Sequence, residues 1–307
     1  MIKNINKKVQ FTSIIIIVLV LSIFLSGCTN STNTDEKLSV VVTIFPQKEM
    51  VNAIGGEYVE VSVMVPAGES PHSYEPTPEQ IIKVAQSSAY FTVGSGVEFE
   101  LTHIDTIQEQ NPELKIYDCS NNIDVISFDQ HYGKENYHEN QESDIGGTDP
   151  HVWTAPPNYK KMADVVLDGL VEIDSDHQQQ YNQNFQEYML KIDSLHENIS
   201  KMLSPHEEKK FMVYHPSWGY FGDTYHLEQI AIEDEGKQPG PAGIATIIDQ
   251  AKNERISVIF VSPQFDTSSA ETIAEQINGE VVSVNPLMTD YRETIQTLAE
   301  TLVEGYS

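Results

Sequence analysis

The chain predicts an α/β fold of two open, parallel-sheet (β/α) lobes joined by a long backbone helix, and three observations predict it. Short apolar runs rich in Val and Ile alternate with segments of helical periodicity. The alternation occurs twice, once on each side of the chain's middle. Between the two halves, residues 176–203 contain no Pro and no Gly and carry one apolar stripe. Strands spaced by helices imply right-handed crossover units, and runs without polar alternation imply strands buried on both faces.

The first 27 residues read as a lipoprotein signal peptide. Lys3, Lys7 and Lys8 supply a positive start, and residues 11–25 are almost wholly apolar, short for a membrane-spanning helix. Leu25-Ser26-Gly27-Cys28 resembles a lipobox, in which Cys28 becomes the acylated first residue. Stable anchoring then needs more than one acyl chain. Residues 28–37 are polar, rich in Ser, Thr and Asn, and read as a flexible tether. The folded body begins near Leu38 and is long enough for two domains with cores of their own.

The first lobe is expected over 38–175, with strands at 38–45, 59–65, 90–93 and 115–117. Its clearest helix opens at Thr77-Pro78-Glu79-Gln80, with Thr77 as N-cap, Pro78 at the first helical position and Gln80 closing a capping box. Residues 128–149 break the pattern. They hold His131 and His138 among acidic side chains and few apolar ones, and read as a long solvated loop with a second reading as an auxiliary metal-capture arm.

The linking helix is expected over 176–204. Phe185, Met189, Ile192, Leu195, Ile199 and Met202 recur at spacings of three and four. Unbroken, it spans roughly 40 Å at 1.5 Å per residue. The stripe covers too few heptads for a coiled coil, so a monomer is expected. The second lobe, 205–307, is expected to carry strands at 211–214, 227–232, 258–261 and 281–284 and helices at 243–253, 268–277 and 291–303.

The formal charge is −28, and the signal peptide's three lysines conceal three further negative charges. Such a surface disfavours nucleic acid and anionic lipid and attracts cations. The only cysteines are Cys28 and Cys119. With Cys28 acylated no disulfide can form, and Cys119, following an apolar run, reads as a packed, inert thiol.

Three histidines stand in turn-rich settings: His72 in Pro71-His72-Ser73-Tyr74-Glu75-Pro76, His151 in Asp149-Pro150-His151-Val152-Trp153, and His215 in Tyr214-His215-Pro216-Ser217-Trp218. His72 and His215 follow predicted strands, and His151 precedes the helix signal Pro156-Pro157-Asn158. Ligands of open α/β sheets bind beyond the carboxyl ends of the strands. Two histidines from one lobe and one from the other therefore predict a metal site in the inter-lobe cleft. Three imidazoles suit Zn²⁺ and leave one of four places open, which a catalytic water also fills. Glu75 is the nearest candidate base for such a hydrolase, but no His-Glu-x-x-His, Gly-x-Ser-x-Gly or phosphate-binding glycine loop is present. Of the other histidines, His177 and His196 are expected on the polar face of the long helix. His103 and His206 read as polar helix or turn residues, and His226 as a structural residue before a strand.

The three histidine motifs, in this order and behind a lipobox, resemble the substrate-binding lipoproteins of ABC importers for zinc and manganese. The resemblance runs from Val41-Val42-Thr43-Ile44-Phe45-Pro46 to the last helix. It implies metal capture outside the cytoplasmic membrane, without catalysis, and delivery to a permease driven by a cytoplasmic ATPase. It maps His72, His151 and His215 onto the family's ligands. The family's fourth, acidic ligand precedes a Pro-Leu pair, and Asn285 of Val284-Asn285-Pro286-Leu287 stands in that place here. Asn285, Asp290 or a water is therefore expected to complete the shell. Imidazole donors favour zinc over manganese, which prefers oxygen. Manganese remains the alternative within this class. A surface zinc hydrolase and a metal-stabilised adhesin are the alternatives outside it.

Overall fold

The computed structural model describes residues 37–127, 147–233 and 237–306. The expected signal peptide, Cys28, His131 and His138 lie outside the described residues. The first sheet is built from β1 (Leu38–Val42), β2 (Val59–Val63), β3 (Ala89–Thr92) and β4 (Lys115–Asp118), interleaved with α1 (Phe45–Gly55), α2 (Pro78–Ala85) and α3 (Glu98–Gln110). All strands are parallel, in the order β2-β1-β3-β4. Then follow α4 (Pro156–Ile173) and the long α5 (Gln178–Leu203). The second sheet repeats the winding as β6-β5-β7-β8. Its strands are β5 (Lys210–Val213), β6 (Glu228–Ala231), β7 (Val258–Val261) and β8 (Glu280–Ser283), and its helices are α6 (Gly219–Thr224), α7 (Pro241–Asn253), α8 (Ser268–Ile277) and α9 (Tyr291–Tyr306).

The strands are shorter than the apolar runs suggest. The run at 38–45 is strand only to Val42, because Pro46 lies in the first turn of α1 and the chain turns into that helix at Phe45. The apolar residues beyond Val42 are still buried, since Ile44, Met50, Val51 and Ile54 enter the core. Past β2, Met64 N and Val65 N still donate to Val42 and Thr43 carbonyls at 2.9 and 3.0 Å, so pairing outlasts the regular strand. α7 begins at Pro241, two residues before the apolar stripe signals it, for the same proline reason. The capping box of α2 is present. Gln80 N donates to Thr77 Oγ1 at 3.3 Å, and Thr77 N donates to Gln80 Oε1 at 2.9 Å.

α5 is a 26-residue helix preceded by a 3₁₀ turn, Ser175–His177. It packs against α1, α4 and α9, so it is a core element of both lobes. Ile192 and Ile199 are fully buried, each worth about 1.5–3 kcal/mol of removed apolar surface. The two histidines expected on a polar face are instead half-buried. His177 lies in the 3₁₀ turn, stacks on Tyr58 at 3.9 Å and donates from Nδ1 to Asp174 at 2.7 Å. His196 packs on Tyr225, 3.1 Å from its hydroxyl. Aromatic neighbours from distant segments, invisible to periodicity, draw both rings inward. Cys119 is buried and free, with burial holding its thiol far above the usual range.

One hydrophobic core runs from the first sheet through α5 into α9, and a smaller one fills the far side of the second sheet. Polar contacts cross the same boundary. Glu49 on α1 accepts from the backbone N–H of Tyr291, the first residue of α9, at 2.6 Å and from Tyr188 of α5 at 2.8 Å. Tyr188 also pairs with Tyr159, whose ring stacks on Tyr291 at 3.7 Å. Glu49 thus caps a helix of the opposite lobe. Glu49→Ala is expected to lower unfolding free energy by about 1–2 kcal/mol, measured by guanidinium denaturation, because it strips a cap and orphans a buried hydroxyl–carboxylate contact.

Candidate metal centre

The loop after β2 carries His72. Backbone bonds from Ser73 and Tyr74 to the Ser70 carbonyl close a tight turn around it. Phe99 N donates to the Pro71 carbonyl at 3.1 Å, which ties the turn to the start of α3. Gln80 braces the loop from α2, donating to the Met64 carbonyl at 2.9 Å and accepting from Tyr74 at 2.6 Å. His151 sits before the 3₁₀ turn Val152–Thr154. Ser95 Oγ holds the preceding Pro150 carbonyl at 2.6 Å, and Trp153 Nε1 donates to the Pro286 carbonyl at 2.8 Å, across to the second lobe. Ser95 follows Gly94, whose φ of +94° and contact with Asp118 leave no room for a Cβ. His215 lies two residues past the end of β5, its ring stacked on Phe265 at 4.5 Å.

Each imidazole is held from its Nδ1 side by a carboxylate. His72 Nδ1 donates to Glu98 Oε2 at 2.6 Å, His151 Nδ1 to Asp149 Oδ1 at 2.8 Å, and His215 Nδ1 to Glu233 Oε1 at 2.6 Å. Asp149 Oδ1 also accepts from the His151 backbone N–H at 2.9 Å. A proton kept on Nδ1 leaves the Nε2 lone pair free. The three Nε2 atoms converge: that of His151 is 3.3 Å from those of both His72 and His215. The rings are tilted by 58° to 75° to one another, as blades around a point. Nitrogens bound at 2.0–2.1 Å to a tetrahedral ion are about 3.3–3.4 Å apart, so the spacing suits Zn²⁺. Three acceptor lone pairs facing one another repel unless a cation lies between them.

Burial acts on the charges here. It holds His151 below the ordinary imidazole value against the pull of Asp149, and holds His215 well below it, with His151 and His72 adding repulsion. Burial raises Glu233 to about 7. Burial is also the largest single influence on Glu98 and pushes it upward, but the bond from His72, the charges of His72 and His151 and a backbone bond together leave that carboxyl below its usual value.

Among the described residues His72, His151 and His215 are the one group of side chains set to hold a metal ion. The two side chains named as alternatives to water for the fourth place have other partners. Asn285 Oδ1 accepts from Gln264 Nε2 at 3.0 Å and from Leu287 N at 2.9 Å, which occupies both lone pairs. Asp290 is exposed and caps α9 through Glu293 N at 3.0 Å. It faces a groove shared with Lys48 and Arg292, away from the histidines. Glu75, the candidate base, is 80% exposed and leans toward His103 at 3.4 Å. Three positioning carboxylates carry no motif of their own. Glu98 opens α3, and Glu233 follows β6, the neighbour of β5. The signal for Glu233 is an acid at the carboxyl end of an adjacent strand. Asp149 stands inside the His151 motif, where its adjacency is the signal.

The sequence profile of the family "zinc-uptake complex component A periplasmic" (ZnuA) matches residues 40–305. The chain belongs to this family. It is 24% identical over 276 residues to the zinc-binding lipoprotein AdcA of Streptococcus pneumoniae, covering 87% of this chain and 53% of AdcA. The chain thus spans about half the length of that relative. It is 27% identical over 287 residues to the manganese-binding lipoprotein MntA of Halalkalibacterium halodurans, covering 90% of this chain and 89% of MntA. A crystal structure of ZnuA superposes with a TM-score of 0.80 at 31% identity, over 89% of this chain and all of that one. Two parallel-sheet lobes bridged by a long helix are therefore the architecture of this ZnuA-family chain.

The depressed imidazoles couple acid to stability. An unfolded histidine titrates near 6.5, so below that pH protons prefer the unfolded chain. The contribution of His151 and His215 is complete above about 6.5 and is lost as pH falls toward their folded values. Glu233, raised to about 7, acts in the opposite sense over the same range, so the wild type is compared with His215→Asn. In the presence of chelator, lowering the pH from about 7 to about 5 is expected to cost His215→Asn less melting temperature than the wild type. Thermal melts followed by circular dichroism measure both.

Proposed function

We propose that this protein captures Zn²⁺ outside the cytoplasmic membrane and hands it to an ABC-type metal importer, with His72, His151 and His215 as the ligands. The observation that carries the reading is the convergence of three Nε2 atoms, that of His151 3.3 Å from each of the other two, with each ring held by a carboxylate, in a ZnuA-family fold. The donor set favours a borderline metal over one that prefers oxygen. The cleft's cavity volume is about 10 Å³, far below the usual size of an organic-ligand pocket, and suits an ion as cargo. Hydrolysis would need a free general base beside the metal. Glu98, Asp149 and Glu233 are each committed to an imidazole Nδ1. This favours a binding protein over an enzyme.

The partners are a membrane permease and its cytoplasmic ATPase. Acylation at Cys28 holds the monomer at the outer face of the membrane, on a tether formed by residues 28–37. The folded body divides into lobes at 38–175 and 205–307 around a linking helix at 176–204. The manganese reading has one observation in its favour, the similarity to MntA. It predicts retained Mn²⁺ under competition.

Single replacement of His72, His151 or His215 by Ala is expected to weaken Zn²⁺ binding by roughly 100-fold or more, and Glu98→Gln or Glu233→Gln by about 10–100-fold. Competition against a chromophoric chelator reads both. Unchanged tight binding in a variant lacking all three histidines would sink the assignment.

In the same assay Zn²⁺ is expected to displace Mn²⁺. Its affinity is expected to fall from about pH 8 to about pH 5, since a protonated imidazole cannot ligate. An affinity that stays level over that range contradicts a histidine site.

A further inference from the structure

Three imidazoles leave a tetrahedral ion one ligand short, and no fourth acidic or histidine side chain joins the cluster among the described residues. The cleft holds one more polar group of interest. Ser217 lines it, two residues after His215, and is fully buried. Its Oγ has no hydrogen-bond partner among the described residues. Leaving a buried hydroxyl unpaired is unfavourable enough that its retention calls for a partner. The backbone on both sides is fixed. Ser217 N donates to the His215 carbonyl at 2.8 Å, and Trp218 N donates to Gln229 Oε1 at 2.7 Å. The hydroxyl is thus carried by a rigid turn that also carries a ligand. Asn285, the other polar candidate for the fourth place, is turned into its own loop by Gln264 and Leu287.

We propose that Ser217 Oγ hydrogen-bonds a solvent molecule that completes the shell of the bound Zn²⁺, and that Ser217 is thereby a positioning residue for the cargo. The inference rests on the three-histidine reading above. A hydroxyl suits this task because it both donates and accepts, so it can accept from a metal-bound water or donate to a metal-bound hydroxide. A neutral partner adds no charge to the site, unlike a fourth carboxylate, and leaves the last ligand exchangeable.

The test is Ser217→Ala in the full chain. Zn²⁺ affinity by chelator competition is expected to fall roughly tenfold, the size of one hydrogen bond to a charged centre. The melting temperature of the metal-free protein is expected to hold or rise, because an unpaired buried hydroxyl has been removed. The visible absorption bands of the Co²⁺-loaded protein, which report the ligand shell, are expected to shift relative to wild type. Zn²⁺ affinity within twofold of wild type together with an unchanged Co²⁺ spectrum overturns the proposal. So does a loss of affinity matched by a drop in metal-free stability, which marks a purely structural serine. Tight Zn²⁺ binding that survives loss of all three histidines overturns the underlying site as well, so the two failures are told apart.

Discussion

The bond between each imidazole Nδ1 and a buried or half-buried carboxylate is the contact on which the site depends. It settles the tautomer, and with it the direction of the Nε2 lone pair. Without Glu98, Asp149 and Glu233 the three rings would be free to rotate or to place a proton on Nε2, and the approach of His151 Nε2 to 3.3 Å from the other two would have no cause. With them, three lone pairs of like sign are held together. That is unfavourable alone and favourable around a cation, so the polypeptide meets the cost of assembling the site when it folds.

The second dependence is between the lobes. His151 comes from the first lobe and is followed by Trp153, whose indole reaches the Pro286 carbonyl of the second. Tyr291 in turn donates to the Trp153 carbonyl at 3.0 Å, and Glu49 caps the helix that Tyr291 begins. The loop bearing one ligand is therefore gripped by the opposite lobe. Together with α5, which is packed into both lobes, this arrangement favours small adjustments in the cleft over wide opening.

How much was legible varies by element. The helix at Thr77 was plain, since its cap, its proline and its Gln80 are neighbours in sequence and act within one turn. The strands were legible as apolar runs and not by their ends, because burial sets the run and proline or pairing sets the end. The three histidines stood out because prolines and aromatic residues flank them. Glu98 and Glu233 did not stand out, lying 26 and 18 residues from the rings they orient. Asn285 was one of three candidates for the fourth place, and nothing local signals that its amide oxygen accepts from Leu287 and Gln264.

The sequence by itself determined the α/β class, the doubled order of elements, the long connecting helix and the identity of three imidazoles, because periodicity, caps and turn residues act over a few positions. Only the tertiary structure decided what those imidazoles face. The partner of each Nδ1, the direction of Asn285 and the burial of Ser217 depend on which strand ends lie side by side. That adjacency is created by parallel pairing between segments far apart in the chain, and no local pattern encodes it.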